Sequence, residues 1–284
     1  MPPETPVFVY HGDVVAFGAR LERPRRREVR GTVALTRVGG QASVREEALN
    51  LDDRVRFRYA SSAASGDSYM ASGDVETHET RTTCTVEGLE FAGLVRADFV
   101  SATLVSTFTN QHRFIEETVT LRGLWVNGRD RALERRKPHI PDGPCSLADI
   151  KRHAQNHGHL ASKLDELHTQ LDGSPSANCG KLVQTSNGHL ACYLLEPSYI
   201  TFVRNGIRYE LFLGEYLIYD QQRRLTMVRI ESHPLPETKA ARSLKLAVGG
   251  APAKEDGDDG DDDSEDLEGS TTIVELAING HRHP

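Results

Sequence analysis

For most of its length this chain alternates apolar and polar positions with a period of two. From Arg54 to Tyr59 the alternation is strict: Val55, Phe57 and Tyr59 on one side, Arg54, Arg56 and Arg58 on the other. That is the pattern of a half-buried strand. Residues 7–21 are rich in β-branched and aromatic side chains, and the break at Gly12-Asp13 predicts two short strands or one bent strand. Residues 32–38 alternate again, and 76–86, 99–109 and 116–126 read as threonine- and valine-rich strands separated by turn residues. The arginine run 23–30 reads as a loop, and the Ser/Ala/Gly stretch 60–73 as a loop with at most a weak strand at its centre. Strand pattern returns at 199–203, at 208–213, in a hairpin of 215–219 with 225–230 about the turn 220–223, and finally at 271–278.

A short unit recurs within this pattern. Gly88-Leu89-Glu-Phe91-Ala-Gly93 is matched by Gly123-Leu124-Trp-Val126-Asn-Gly128 and, in part, by Leu276-Ala-Ile278-Asn-Gly280. Alternating apolar residues that run into glycine mark a strand entering a tight turn, where the backbone needs φ > 0. Backbone geometry accounts for these glycines without any binding role.

The period of two lapses from Arg129 to about Pro197. Ser146 and Asp149 have the spacing of an N-cap and its capping box. Ile150, His153, His157, Leu160, Leu164, Leu167 and Leu171 then fall on one helical face, with Gly173 as the stop. The expected fold is therefore mainly β, an antiparallel sandwich or barrel, with one α-helical insertion at about 146–172. The expected organisation is a β framework over 1–128, the insertion over 129–197, a returning hairpin over 198–247, an acidic linker over 248–270, and a strand and tail over 271–284.

Composition sharpens this in two places. Ten of the acids lie between Glu255 and Glu268, and without them the formal net charge moves from −7 to +3, so the acidity is local. With so few apolar side chains, 248–270 cannot offset its ordering entropy and is expected to be disordered. The acidic run does not fit a calcium loop: placing Gly260 at the sixth position puts Gly257 where an acid is required. At 38% hydrophobic residues the chain can build a core, yet no apolar run approaches the ~20 residues that span a bilayer. The start, Met-Pro-Pro-Glu-Thr-Pro, has no basic and apolar leader pattern. The cytoplasm is the default expectation, with a specialised export route left open.

Candidate chemistry is sparse. Cys84, Cys145, Cys179 and Cys192 form no CxxC pair and read as small hydrophobes in a reducing compartment. No nucleophile elbow, Walker loop or dinucleotide fingerprint is present, so no catalytic residue or organic cofactor is assigned. His153 and His157, four apart on the expected helix, could ligate zinc, although no HExxH accompanies them. Trp125, Tyr216 and Tyr219 could form a stacking surface for a carbohydrate or another ligand. Arg23, Arg25, Arg26, Arg27 and Arg30 form a basic patch. It lacks interleaved aromatics, so nucleic acid is not the expected partner.

The segments Phe8-Val-Tyr-His-Gly-Asp-Val-Val-Ala-Phe-Gly-Ala, Cys84-Thr-Val-Glu-Gly-Leu89, Val95-Arg-Ala-Asp98 and Arg223-Arg-Leu-Thr-Met-Val-Arg229 resemble an uncharacterised family of bacterial β-rich proteins. That family carries HGxAxAxGA, TxVEGL, VxADxVxA and RRLTMLR segments. The Gly-Leu-x-apolar-x-Gly units are also loosely similar to those of bacterial choice-of-anchor surface β proteins. The resemblance implies a β framework and no known activity. The expected function is a non-enzymatic structural or interaction protein that binds copies of itself or a protein partner. The alternatives are a metal-dependent hydrolase using the histidine pair and a ligand-binding β module.

Overall fold

The computed structural model describes residues 7–22, 25–71, 75–109, 112–131, 134–135, 182–184, 190–193, 195–196, 199–219, 222–235 and 269–283. The long strands come first: β1 (Val7–Glu22), β2 (Arg25–Ala34), β3 (Gly40–Leu51), β4 (Val55–Ala71), β5 (Val75–Phe91), β6 (Val95–Thr109) and β7 (His112–Arg122). Short strands follow: β8 (Trp125–Val126), β9 (Arg129–Asp130), β10 (Glu134–Arg135), β11 (Leu182–Gln184), β12 (Leu190–Tyr193) and β13 (Leu195–Glu196). The last are β14 (Tyr199–Arg204), β15 (Ile207–Tyr219), β16 (Gln222–Pro234) and β17 (Gly269–His283).

Two antiparallel sheets form a sandwich rather than one closed barrel. Sheet I runs β11-β12-β15-β16-β17-β1-β2, with β14 also on β15. Sheet II runs β3-β4-β5-β6-β8-β9, with β7 also on β6. The first and last described strands pair along their whole length, from Val7 opposite His283 to Leu21 opposite Gly269. The chain crosses from sheet I to sheet II after β2, through a turn in which Gly39 N–H donates to the Thr36 carbonyl at 3.0 Å.

The inner faces carry the core. Val14, Phe17, Leu225, Ile230, Ile273 and Leu276 of sheet I meet Phe57, Val86, Leu89, Val100 and Leu104 of sheet II, all buried. Fully burying each such side chain contributes about 1.5–3 kcal/mol. The two sheets approach closely at one end, where Gly12 lies under Thr82 and Gly66 lies under the Tyr10 ring.

Alternation inverts once along each long strand, at one level. In β1 the buried positions are Val14 and Ala16, then Phe17 and Ala19; in β16 they are Leu225 and Met227, then Val228 and Ile230. The pairing register is unchanged across this level, but the ladder is interrupted along the row Gly214, Met227, Val274, Ala16 and Gly31 of sheet I. A matching row in sheet II holds Arg58, Gly88, Asp98 and Gly123. Left-handed backbone recurs on alternate strands: φ is 60° at Gly31 and Gly214, 54° at Val274, 63° at Gly88 and 61° at Gly123. One left-handed residue turns the pleat over, so each sheet bends without a slip in register.

Several expectations are corrected here. Residues 7–22 are one strand that bends at Ala16, not at Gly12. From Arg25 on, the arginine run is strand rather than loop: β2 begins there, paired with the end of β1 from Glu22 opposite Arg25. Residues 60–71 are also strand, completing the 17-residue β4, whose inward Ala60, Ser62, Ala64 and Gly66 are small because the facing sheet is near. Of the three recurring units, the first two end in turns, at Ala92-Gly93 and Asn127-Gly128, with both residues at positive φ in each. In the third, Asn279 and Gly280 pair with His11 and Tyr10 inside β17. That strand begins at Gly269, two residues earlier than expected. The expected helix at 146–172 and the acidic run 255–268 lie outside the described residues.

Cys84 sits at the centre of β5, fully buried, with its sulfur 3.5 Å from Ser62 Oγ. Burial pushes its thiol from an ordinary 9.0 up to about 12. Because the folded value is raised, stability is intact below pH 9 and falls as pH rises towards 12, by about 1.4 kcal/mol per pH unit. Chemical unfolding of wild type and Cys84→Ala at pH 8 and pH 11 checks this. The variant is expected to lose less stability than the wild type over that interval.

Candidate functional site

Exposed chemistry is concentrated on the outer faces of the two sheets. On sheet I, β15 and β16 place Glu210 opposite Glu231 and Arg208 opposite His233. Like charges directly opposite one another are unfavourable, and arginines relieve this pair. Arg208 reaches Glu210 at 2.8 Å, and Arg229 binds both Glu231 and Glu215. The Arg229–Glu215 contact is bidentate at 2.9 and 3.1 Å, and the guanidinium lies 3.8 Å from the Phe212 ring centre. Glu210, Glu231 and His233 bring their ligand atoms within 4.8 Å of one another. They are the group among the described residues that could hold a metal ion, but both carboxylates are already balanced by arginine.

Beside this network the bent outer face of sheet I forms a groove of about 960 Å³. Its floor is Gly18 between Val29 and Thr272, and Ser270 and the opposed Arg20 and Arg27 lie at one end.

The expected basic patch is thereby divided. Arg27 lines the groove, whereas Arg30 is held by Glu28 at 2.6 Å. Arg25 and Arg26 lie in β2, and Arg23 lies outside the described residues. Trp125 and Tyr216 are not brought together: Trp125 is on sheet II with Arg96 over its ring at 5.3 Å, while Tyr216 is in the core at 3% exposure. Tyr219 ends β15, and His153 and His157 lie outside the described residues.

A polar cluster closes one end of the sandwich. His78 Nδ1 is 3.0 Å from the Tyr10 hydroxyl, and the His78 ring stacks on Phe8 at 4.1 Å between centroids. His78 Nε2 lies 3.6 Å from Glu76. Burial raises the Tyr10 pKa above its ordinary value. Tyr10 and His78 are both under 9% exposed, which suits a structural plug between β1 and β5.

The outer face of sheet II is different in kind. Registers across β3 to β7 align four rows of five residues between the bend and the Tyr10 end. The two central rows are Ser43, Ala63, Thr83, Thr103, Thr118 and Arg45, Ser61, Thr85, Ser101, Thr120. Hydroxyls meet across strands, Thr83 to Thr103 at 3.1 Å and Thr85 to Ser101 at 3.0 Å. The flanking rows are Gln41, Ser65, Arg81, Val105, Glu116 and Glu47, Tyr59, Glu87, Phe99, Arg122. The result is a sheet face with short side chains in its middle, except Arg45 at the β3 edge, and charges at its two ends. Sequence reading found most of these strands as threonine-rich segments but could not align them, because rows exist only once register is set.

Among the described residues no helix is long and apolar enough to cross a membrane. No curated protein matches the sequence, and no solved structure matches the fold. A family profile does match residues 8–172, more than half of the chain and all of sheet II, and the chain belongs to that family, described as a domain of unknown function, DUF8256.

Proposed function

We propose that this chain is a non-enzymatic interaction protein, and that the outer face of sheet II is its contact surface. The observation that carries this is the pair of hydroxyl rows at the middle of a five-stranded face. Short threonine, serine and alanine side chains lose little rotamer entropy on contact and let another surface approach closely.

The strand edges are less suited to docking. β3 carries Arg45, Glu46 and Glu47, and β7 carries Arg113, Glu116 and Glu117, charges that oppose the addition of a further strand. Groups with chemical potential are committed elsewhere, the sheet I carboxylates to arginines and Cys84 to the core.

Thr103→Arg puts a long charged side chain at the centre of the face while leaving the inner face untouched. Complexes that the wild type forms, with itself when pure or with a second protein when co-purified from its source cells, are expected to be lost. The melting temperature should change by no more than about 2 °C. Light scattering after gel filtration reads the masses, and complexes that persist unchanged in the variant overturn the proposal.

A further inference from the structure

Resting on that reading, we infer that the partner of the sheet II face is a second copy of this chain, related by a twofold axis that lies in the interface and crosses the strands between the two hydroxyl rows. Such an axis lays each strand on its own copy, reversed in direction. On β5 it pairs Thr83 with Thr85 of the second copy and Arg81 with Glu87. On β6 it pairs Thr103 with Ser101 and Val105 with Phe99. On β7 it pairs Thr118 with Thr120 and Glu116 with Arg122. On β4, Ala63 meets Ser61 and Ser65 meets Tyr59. These pairings follow from the register sums of the rows alone.

From β4 to β7 each class of side chain therefore meets its complement, while on β3 Ser43 meets Arg45 and Gln41 meets Glu47. Small hydroxyls lie against small hydroxyls, the apolar Phe99 and Val105 meet, and arginine meets glutamate at two positions. Each pairing occurs twice by symmetry, as an isologous interface requires. Opposite charges in a face could match a foreign partner in many arrangements. Here they match the face itself about one axis, and that axis is also the one that superposes the short residues.

Arg81 and Arg122 are placed for the exchange. Arg81 is half-exposed and reaches Glu79 on its own strand at 3.0 Å. Arg122 leans over Phe99 with 5.4 Å to the ring centre, beside the position that Glu116 of the second copy would take.

The area is adequate. Five strands at about 4.8 Å and four rows at about 6.8 Å cover about 650 Å² per copy, or about 1,300 Å² together. Stable interfaces of standard size begin near about 1,200 Å².

The test is a charge exchange in the full chain. Sedimentation equilibrium is run on wild type, Arg81→Glu, Glu87→Arg, the double variant and Thr103→Arg. Each single exchange sets like charges against each other at two symmetric places, so dimer dissociation constants should rise at least about tenfold. The double variant should return to within about threefold of wild type, since it restores the opposite charges in reversed sense. If Thr103→Arg dissolves the dimer but the double variant fails to recover, the twofold arrangement is wrong and the contact face stands. A wild-type protein that remains monomeric overturns the assignment of a second copy. A dimer indifferent to all of these variants overturns both the arrangement and the contact face.

Discussion

Replacing Phe17 with alanine is expected to lower the stability of the fold by about 3–5 kcal/mol, the usual cost of emptying a buried aromatic site. Phe17 is fully buried and lies 6.2 Å from Phe57 between ring centres, the one ring on sheet I and the other on sheet II. It also follows directly on Ala16, where the pleat of β1 turns over, so its side chain points inward only because of that inversion. Under strict alternation from Val14, Phe17 would face solvent and the substitution would be nearly neutral. Val38→Ala in the β2–β3 turn, at 86% exposure, is the control and should change stability by less than about 0.5 kcal/mol. Urea unfolding of the two variants reads both values.

Gly31→Ala should destabilise by about 2–4 kcal/mol. Its φ of 60° alone costs an L-residue about 1–2 kcal/mol. A methyl group there would also sit 2.6 Å from the Ala16 Cβ, a contact between two short, backbone-fixed groups with no flexible end to move aside. Gly18→Ala is the comparison, since a Cβ at Gly18 meets nothing nearer than the Val15 methyl at 4.0 Å. It should be within about 0.5 kcal/mol of wild type. Equal effects at the two positions would contradict the inversion row as a geometric requirement.

That row explains much of what was and was not legible in the sequence. Val55 to Phe57 reads cleanly as strand, but the inversion at Arg58 turns Tyr59 to the outer face beside Glu87, away from the side of Val55 and Phe57 on which strict alternation places it. Across Ala16-Phe17 and Met227-Val228 two neighbours face inward together, so a period of two cannot follow the strand through. The sequence reading divided β15 at Leu213-Gly214 for the same reason. Residues 60–71 have the composition of a loop, and their strand character comes from tertiary need: Gly66 leaves room for the Tyr10 ring and Ala64 for the nearby sheet. The β3 strand was missed because it mixes small and polar residues, most of them exposed, as befits an edge. β2 was obscured by its arginines, of which Arg27 lines the groove and Arg30 reaches Glu28.

The contact face was legible only as threonine-rich strands. Thr83 and Thr85, Ser101 and Thr103, and Thr118 and Thr120 each show the i, i+2 spacing of one strand face. Their assembly into two continuous rows depends on the hairpin turns, among them Ala92-Gly93, which fix β5 against β6 with Thr83 opposite Thr103.

Sedimentation velocity of wild type and Thr103→Arg, side by side over a concentration series, is the most direct measurement. The wild type should shift from the 31.4 kDa chain mass towards twice that value as concentration rises, while the variant stays at the chain mass with the same melting temperature. A wild type that remains at the chain mass throughout, or a variant that associates equally well, would contradict the account.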